Sequence, residues 1–406
     1  MLTLTDKTKC CGCGACANSC PKNCIAMVAD EEGFLYPQVD KSACVNCGLC
    51  EKVCPILNKP QTFPVLETYA AKHKNAEVKL KSSSGGMFTA LAEVILKEGG
   101  VVFGAGFDKE WNVVHTYAEN LTDLDKLRRS KYVQSDTENT YQQAKQFLEQ
   151  GRKVLFTGTP CQIAGLRNYL GKEYENLLTA QLICHGTPSP GVWSAFLKEN
   201  FNKNDIKNIN FRDKHFGWSA NYLSFLFSDG LLCAHGMRRT LAEKLFERVP
   251  GKRKIGYIYR NVFLRAFLAE LISRRSCFVC AFRGKENQFA DFTMGDLWGK
   301  WPEIITSQDK REGMSVLTAN TAKAKHLLNS LSLVTQPIDF DRVARINFPL
   351  LSSPVAHPKR AEFFARYRTE NVSKLIRELL DIKPWWLAII NKGYNKVLTL
   401  LKIKRP

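Results

Sequence analysis

Hydrophobic and polar positions between residues 65 and 300 follow two periods, one typical of helices and the other of strands. Apolar residues at 87, 88, 91, 94 and 95 recur at helical spacing before Gly99 and Gly100, which predicts a helix over 87–98 with a glycine stop. Short apolar runs between such segments predict buried strands. The predicted strands are 101–107, 113–118, 153–159 and 177–184, and the other predicted helices are 139–150, 163–170 and 259–274.

This order of elements indicates α/β organisation, in which ligands gather at the carboxyl ends of the strands. Two polar loops follow such ends, Gly158-Thr159-Pro160-Cys161 and Cys184-His185-Gly186-Thr187. The alternation of residues 211–235 around Asp229-Gly230 predicts a hairpin. A strand that enters Gly295-Asp296 then precedes a largely helical tail.

Fifteen cysteines change this picture, because eight of them fall into two copies of one spacing. Each copy reads Cys-x2-Cys-x2-Cys-x3-Cys-Pro, and residues 1–58 resemble two-cluster bacterial ferredoxins. In that pattern three cysteines of each run bind one 4Fe–4S cluster, and the fourth binds the other cluster. The first cluster is therefore expected on Cys10, Cys13, Cys16 and Cys54. The second is expected on Cys44, Cys47, Cys50 and Cys20.

Disulfide and zinc roles fit these cysteines less well. A disulfide framework needs an oxidising compartment, and residues 1–9 contain no apolar run of the kind that directs export. Zinc sites use paired Cys-x2-Cys hooks, whereas two four-cysteine runs with matched prolines are what cluster exchange requires. Cys11 and Cys24 lie outside the repeat and are interpreted as spare buried thiols, and Cys233 as a core residue.

Four further cysteines predict a third 4Fe–4S cluster. Cys277-x2-Cys280 is a metal hook that lacks partners of its own. Cys161 and Cys184 stand at strand ends beside Pro or Gly, where a thiolate can point into a shared cavity. The alternative is that Cys161 and Cys184 are small buried hydrophobes, the commonest state of a free cysteine.

From residue 65 to about 350 the chain resembles the beta subunit of the coenzyme F420-reducing hydrogenase and dehydrogenase family. The segments that carry the resemblance are Ser82–Leu91, Ser130–Ser135, Thr157–Gln162, Cys184–Gly186 and Cys277–Gly299. The resemblance implies FAD and iron–sulfur clusters in a ferredoxin- or F420-linked oxidoreductase, and the group is also similar to the plant 7-hydroxymethyl chlorophyll a reductase.

The same segments offer candidate FAD contacts. The loop before the helix at residue 87 has free N–H groups that could cradle a pyrophosphate, although an ordinary N-cap explains its serines equally well without the resemblance. A lysine and a tyrosine could supply a cation and a stacking surface, threonine hydroxyls could contact the flavin, and an aspartate could bind a cofactor hydroxyl or cap a turn. These candidates are Ser83, Ser84, Gly85, Gly86, Lys131, Tyr132, Thr157, Gly158, Thr159 and Asp296.

Electron counting suggests how the cofactors would work together. Each cluster passes one electron, whereas chemistry at an organic substrate needs two, so a flavin is the expected converter. The first hypothesis is a ferredoxin- or F420-linked, FAD-dependent enzyme that acts on a small substrate or deazaflavin, with a glycan or cell-envelope pathway reductase as one form of it. The second is an electron-transfer subunit that has no activity of its own and serves a partner enzyme. The sequence indicates no catalytic residue and no direction of electron flow.

Length and motifs together predict the organisation of the 406 residues. We expect an α/β (α+β) protein in which a two-cluster ferredoxin domain (1–58) precedes a larger mixed α/β FAD and iron–sulfur domain (65–350) and a basic, amphipathic helical tail (356–406). No stretch approaches the roughly 18 apolar residues of a spanning helix. The expected location is the cytoplasm, with a peripheral position at the inner membrane face as an alternative.

The net charge of +19 lies downstream of residue 60. Residues 237–276 hold eleven Lys and Arg against three acidic residues, and residues 356–406 hold twelve against four. Such blocks attract an acidic redox protein such as a ferredoxin, phosphate-bearing cofactors or an anionic membrane. Nucleic acid is disfavoured because no known binding motif is present.

The segment 385–404 is amphipathic and basic on a helical wheel, so it is a candidate for contact with an anionic membrane surface. The commoner alternative is that its apolar face packs on this protein's own core. A protein truncated after Pro384 distinguishes contact with a membrane from packing on the core. A folded, truncated protein that no longer binds anionic vesicles supports the membrane contact, whereas unfolding on truncation, with no vesicle binding by the full chain, rejects it.

Overall fold

The computed structural model describes residues 6–214, 217–218, 222–228, 232–235, 255–256 and 262–382. The strands are β1 Ile25–Ala29, β2 Leu35–Val39, β3 Glu67–His73, β4 Val101–Phe107, β5 Val113–Ala118, β6 Val154–Gly158, β7 Leu177–Leu182, β8 Ile206–Asp213, β9 Tyr222–Phe227, β10 Leu232–His235, β11 Ile255–Gly256, β12 Phe292–Asp296, β13 Ser315–Ala319 and β14 Leu333–Pro337. The helices are Ala15–Ser19, Leu49–Lys52, Ala76–Leu80, Met87–Lys97, Thr140–Glu149, Pro160–Leu170, Pro190–Asn200, Val262–Leu268, Ser307–Glu312, Ala322–Leu328, Phe340–Ile346, Arg360–Arg366 and Val372–Leu379, with short 3-10 turns at Asp123–Lys126, Lys203–Asp205, Arg275–Val279 and Phe348–Leu350.

Four parallel strands, β4, β6, β7 and β12, form the centre of an eight-stranded sheet with the order β14-β3-β13-β12-β7-β6-β4-β5. Alternate residues of a strand point to opposite faces. Val102 and Leu155 pack in the same core as the helix Met87–Lys97, whereas Val101 and Val154 pack with helices from the other face. Because both faces are covered, consecutive residues of these strands are apolar, as at 101–103 in β4 and 154–156 in β6.

The parallel centre confirms the predicted α/β class, and all four of its strands present their carboxyl ends at one edge. Antiparallel strands complete the sheet on both sides: β5 pairs with β4, while β13, β3 and β14 continue from β12.

The prediction of a largely helical chain after Asp296 is wrong for β13 and β14. Both are short segments among polar residues, and they become strands because neighbouring strands supply hydrogen-bond partners.

A second sheet, of order β11-β10-β9-β8, lies beside the first. The antiparallel pairing of β9 with β10 confirms the predicted hairpin. Cys233 belongs to β10, but its side chain lies outside the described residues. The sheet packs in a core with the helix Pro190–Asn200, where Trp193 is fully buried among phenylalanines that include Phe211 and Phe263.

The elements predicted between residues 87 and 118 are confirmed to within a residue, and so is the helix at 140–149. Two other helices differ from prediction. One begins at Pro160, three residues early, because Thr159 and Gln162 form a capping box. The other ends at Leu268, not Arg274, because Glu270 turns the chain with a φ of 57°; its predicted start at Tyr259 lies outside the described residues.

The N-terminal segment packs tightly against the rest of the chain. A Cβ on Gly33 would lie 2.6 Å from the Cα of Gly191, so only glycine permits this approach. Beside it Glu32, which is 2% exposed, accepts hydrogen bonds from Arg360 at 3.0 Å and from Arg275 at 2.9 Å. Burial alone would raise the pKa of Glu32, but the hydrogen bonds from the two arginines outweigh it and hold the pKa below its usual range.

The described part of the predicted tail belongs to the main core. Phe363, Val372 and Ile376 are fully buried with the second sheet. The predicted membrane-binding segment 385–404 and most of the basic block 237–276 lie outside the described residues. No helix in the described part of the chain is long and apolar enough to cross a membrane. The boundaries at 58, 65, 350 and 356 stay predictions.

Replacing Glu32 by glutamine should lower the free energy of unfolding by about 3 kcal/mol, because it leaves the buried guanidinium of Arg360 and the partly exposed guanidinium of Arg275 without their carboxylate. Urea denaturation of the anaerobic holoprotein measures this. The pKa of Glu32 is lower in the folded protein than in the unfolded chain. Glu32 therefore contributes fully to the free energy of unfolding above its unfolded pKa of about 4.3, and this contribution is lost as the pH falls through the folded pKa. Glu362→Gln, which breaks an exposed pair with Arg366, is the matched control and should cost under about 1 kcal/mol. Equal losses in the two variants would contradict the role of Glu32.

Candidate functional site

A cleft of about 420 Å³ opens at the carboxyl ends of the parallel strands. This is the size range of small-molecule sites, and its place is where α/β sheets bind ligands. A smaller chamber of about 140 Å³ continues the cleft toward the loop before the helix Met87–Lys97 and shares Arg129 and Ser130 with it. The strand ends that line the cleft are Gly158, Leu182 and Asp296.

The serines of the predicted phosphate cradle lie in the smaller chamber. The Ser83 hydroxyl accepts from the Ser130 amide at 2.8 Å, and the Ser84 hydroxyl donates to the carbonyl of Met314 at 2.8 Å. The interpretation of these serines as N-caps is wrong. Gly86 is the N-cap, at a φ of 96°, and no side chain caps the helix. The first-turn N–H groups therefore face the chamber without a capping side chain.

Gly85 does not line either chamber. A Cβ on Gly85 would lie 2.5 Å from the carbonyl oxygen of Ala71, and its amide donates to the Ser315 hydroxyl at 2.9 Å. Gly85 therefore serves the close packing of this loop on β3 and β13. The substitution Gly85→Asp would place a side chain against the backbone of the sheet, so it would disrupt packing and would not test phosphate binding.

Lys131 and Tyr132 both line the main chamber. The Lys131 ammonium donates to the carbonyls of Arg128 and Arg129 at 2.8 and 3.3 Å, and burial lowers the pKa of Lys131 to about 7. The Tyr132 hydroxyl accepts from Arg212 at 3.1 Å. Neighbouring Arg129, which the sequence did not single out, lines both chambers.

The threonine loop after β6 also lines the cleft, but its hydroxyls have protein partners. Thr157 donates to the carbonyl of Phe103 at 2.9 Å, and Thr159 caps the following helix. His115 packs against this loop: its Nε2 lies 3.0 Å from the Thr157 carbonyl oxygen, and burial lowers the pKa of His115 to about 4. The imidazole is therefore neutral at pH 7.

Asp296 is held in an ion pair and does not cap a turn. Arg212 donates to it at 2.7 Å, and the indole N–H of Trp218 donates at 2.8 Å. Trp218 in turn stacks on Trp298, with the ring planes 4° apart. The sequence patterns did not identify Arg212 and His115 as residues of the cleft, because single residues inside strands belong to no spacing motif.

Two cavities in the N-terminal segment are lined by the cysteines of the repeat. One is lined by Cys10, Cys13, Cys16 and Cys54, together with Cys11. The other is lined by Cys20, Cys44, Cys47 and Cys50, together with Cys24, whose Sγ lies 3.3 Å from that of Cys20. The fourth cysteine of each run thus lies at the other run's cavity. Cys11 and Cys24 were interpreted from the sequence as spare buried thiols. In the structure each of them lines a cysteine cavity.

A third cavity brings together the four cysteines of the second group, Cys161, Cys184, Cys277 and Cys280, again with Cys11. Cys161 lies in the first turn of the helix Pro160–Leu170, and a hydrogen bond with Cys11, together with burial, raises the pKa of its thiol. Burial raises the pKa of Cys184, Cys277 and Cys280, so these thiols need a metal to ionise.

The described residues contain no group of three or more His, Cys, Asp or Glu that could hold a single metal ion. A zinc site needs four sulfurs around one point, about 2.3 Å from the ion. A four-iron cluster needs thiolates around a cavity, because each sulfur binds a different iron. Each of the three cavities is lined by at least four cysteines, a donor set that fits a four-iron cluster.

Comparisons with known proteins agree with this arrangement. Residues 9–57 match the model of a 4Fe-4S dicluster domain. Residues 68–140 match the N-terminal model of the coenzyme F420 hydrogenase/dehydrogenase beta subunit, and residues 151–338 match the C-terminal model of the same subunit.

A solved structure, the xenon-derivatised F420-reducing [NiFe] hydrogenase complex from Methanosarcina barkeri, matches with 18% identity and a TM-score of 0.45, over 72% of this chain and 91% of the matched chain. No curated protein matches. The two subunit models together cover well over half of the sequence. The chain belongs to the coenzyme F420 hydrogenase/dehydrogenase beta subunit family and carries a 4Fe–4S dicluster domain in front of the family's region.

Proposed function

We propose that this protein is an iron–sulfur flavoprotein oxidoreductase that passes electrons between a redox protein, three 4Fe–4S clusters and FAD, for two-electron reduction or oxidation of a small substrate or deazaflavin. The observation that carries the proposal is that the three cysteine-lined cavities and the cleft form an unbroken series. Cys11 and Ile56 line both the first and the third cavity. Cys184 and Thr187 line both the third cavity and the cleft.

The first two clusters would share the crossed ligand sets of the dicluster pattern, and they are close neighbours. Cys16 lines the first cavity and also packs against the cysteines of the second, Cys20 and Cys50. The third cluster would be held by Cys161, Cys184, Cys277 and Cys280, the four cysteines that meet in the third cavity. Electrons can thus pass along the series one at a time without leaving the protein.

The second cluster is the proposed point of contact with the external redox protein. Cys47 is exposed, whereas Cys13 and Cys54 at the first cavity are buried. Exposed Lys22 lines the second cavity. A cation beside an exposed cluster favours an acidic partner, the character of most ferredoxins, because opposite surface charges speed association and orient the complex.

The charge of the cleft wall supports FAD as the ligand. Arg129 and Lys131 are both half-buried in the cleft wall. Within the described residues, neither has a carboxylate oxygen within 4 Å, and partly buried cations without counter-ions favour an anionic ligand. Together with Ser83, Ser84 and the uncapped helix N-terminus, they would hold the pyrophosphate in the smaller chamber.

The flavin ring would lie in the main chamber, lined by Tyr132, the loop at 157–159 and Asp296. A bound FAD supplies the conversion between one-electron transfer and two-electron chemistry. The chain positions it: the ion pair of Asp296 with Arg212 fixes one wall, and the neutral His115 holds the Thr157 carbonyl on another. Cys184 and Thr187 line both the third cavity and this chamber, so a cluster in the third cavity would lie at the edge of the chamber.

Protein purified without oxygen should contain about twelve irons and one noncovalent FAD per chain, since three cubane clusters hold four irons each. Reduction by a ferredoxin or by reduced F420, followed by turnover of a small acceptor without a partner chain, tests the enzymatic form of the proposal. A protein that only relays electrons to a partner would be a subunit without its own activity. An iron content near eight would remove the third cluster from the proposal.

Cys277→Ser and Cys161→Ser should each lower the iron content by about four and leave the first two clusters intact, because each removes one thiolate of the third set. Iron analysis and the EPR spectrum of the reduced protein measure this. Cys11→Ser is the matched control, since Cys11 lines the same cavity but lies outside the proposed ligand set. Iron loss in Cys11→Ser but not in Cys277→Ser would show that the ligand set is wrong.

Arg129→Gln should weaken FAD binding by about tenfold or more, because it removes a charged hydrogen-bond donor from the phosphate chamber. Flavin content after gel filtration and titration of the apoprotein with FAD are the measurements. Arg152→Gln removes the same charge from a surface ion pair with Glu119, away from the cleft, and should bind FAD as the wild type does. Unchanged affinity in a folded Arg129→Gln protein would place the phosphates elsewhere.

A further inference from the structure

Arg274 is a buried charge without a charged protein partner. Its side chain is fully buried, with 0% exposure. Among the residues that the structure describes, no carboxylate oxygen lies within 4 Å of its guanidinium, whereas neighbouring Arg275 is paired with Glu32. An uncompensated charge in a protein interior is strongly unfavourable, so the fold must supply a counter-charge of another kind.

The partners of the guanidinium point to where that charge lies. Nε donates to the carbonyl of Cys10 at 2.9 Å, and the two other nitrogens donate to Gln134 at 2.9 Å and to the carbonyl of Leu35 at 3.1 Å. The group also lies 4.0 Å from the ring centroid of Tyr36. All of these partners are neutral. The guanidinium also lies over the neutral ring of Phe34, 5.4 Å from its centroid, and the Sγ of Cys10 is 3.8 Å from one guanidinium nitrogen.

We propose that the 4Fe–4S cluster on Cys10, Cys13, Cys16 and Cys54 is the counter-charge of Arg274, and that Arg274 in return raises the reduction potential of that cluster. The proposal rests on the part of the proposed function that places a cluster on Cys10. Such a cluster carries net negative charge and gains one more negative charge on reduction. A fixed cation and an N–H donor at a ligand sulfur stabilise the reduced form more than the oxidised one, and both are known determinants of cluster potential.

The surrounding loop is built around the guanidinium. Gly12 has a φ of +68°, and a Cβ there would lie 2.9 Å from a guanidinium nitrogen of Arg274 and 2.6 Å from the amide nitrogen of Gln134. Gln134 itself donates to the carbonyl of Cys11 at 3.0 Å. The cysteine loop therefore closes on Arg274 with no room for a larger residue.

The backbone of Arg274 is hydrogen-bonded to two residues that line the third cavity, Thr187 and Cys277. Its N–H donates to the carbonyl of Thr187, and its carbonyl accepts from the amide of Cys277, both at 3.0 Å. One residue thus connects the first cavity to the loops of the third. A raised potential of a cluster in the first cavity would shift the distribution of electrons between the first and second clusters toward the first.

The test is a redox titration of the anaerobic holoprotein followed by EPR. Arg274→Gln should lower the midpoint potential of one cluster by at least about 59 mV, which for one electron is a tenfold change in the oxidised-to-reduced ratio. The midpoint potentials of the other clusters should stay unchanged. Arg274→Lys keeps the charge and should restore most of the shift. Arg275→Gln removes the same charge one residue later, at a side chain that is 42% exposed, and should leave all midpoints in place. Unchanged midpoints in an Arg274→Gln protein with full iron content would overturn the proposal.

If Arg274→Gln does not retain its first cluster, Gln134→Glu gives a second test with Arg274 in place. The new carboxylate would compete with the cluster for the guanidinium, so the midpoint should fall, and an unchanged midpoint overturns the proposal. The two proposals fail in different ways. Absence of a third cluster or of FAD in the wild type contradicts the proposed function but leaves the Arg274 shift measurable. Full cofactor content with no shift contradicts only the role of Arg274.

Discussion

The docking of the N-terminal segment through buried charges is the constraint on which the other sites depend. Glu32 receives both Arg360 and Arg275, and Arg274 reaches the carbonyl and sulfur of Cys10. Glu32 and Arg360 are costly to bury unless they are paired, so displacement of the segment would leave both of these charges unpaired at once. This packing holds the first cysteine-lined cavity beside the third, where Cys11 and Ile56 line both.

The topology of the large sheet places the cleft and the third cysteine cavity next to each other. β6 and β7 are adjacent and parallel, so the loops that follow them leave the sheet at the same edge. One loop carries Thr159 and Cys161 and the other carries Cys184 and Thr187, and residues of both line the cavity and the cleft. Neighbouring strand ends thus bring the third cysteine cavity and the cleft into contact, and the proposed third cluster and flavin would occupy adjacent sites.

Sequence patterns predicted the elements with strong periodicity and the groups of residues with regular spacing. The helix at Met87–Lys97 and strands β4 and β5 follow from local apolar periods, and both dicluster runs follow from their spacing. Errors occurred where tertiary contacts decide. β13 and β14 are strands because they have neighbours in the sheet, and the helix Val262–Leu268 ends early because Glu270 adopts a positive φ.

By itself the sequence determined the α/β class, the family and the cysteines that could bind clusters, because periodicity and spacing are local properties of the chain. The tertiary structure alone decided which side chains face the cavities. Gly85 became a packing residue and Asp296 an ion-pair partner, whereas Arg212, His115 and Arg274 joined the sites. Arg274 and Cys10 are 264 residues apart in the chain. No local pattern records such a contact, since the energy that selects it arises only when the two segments are buried together.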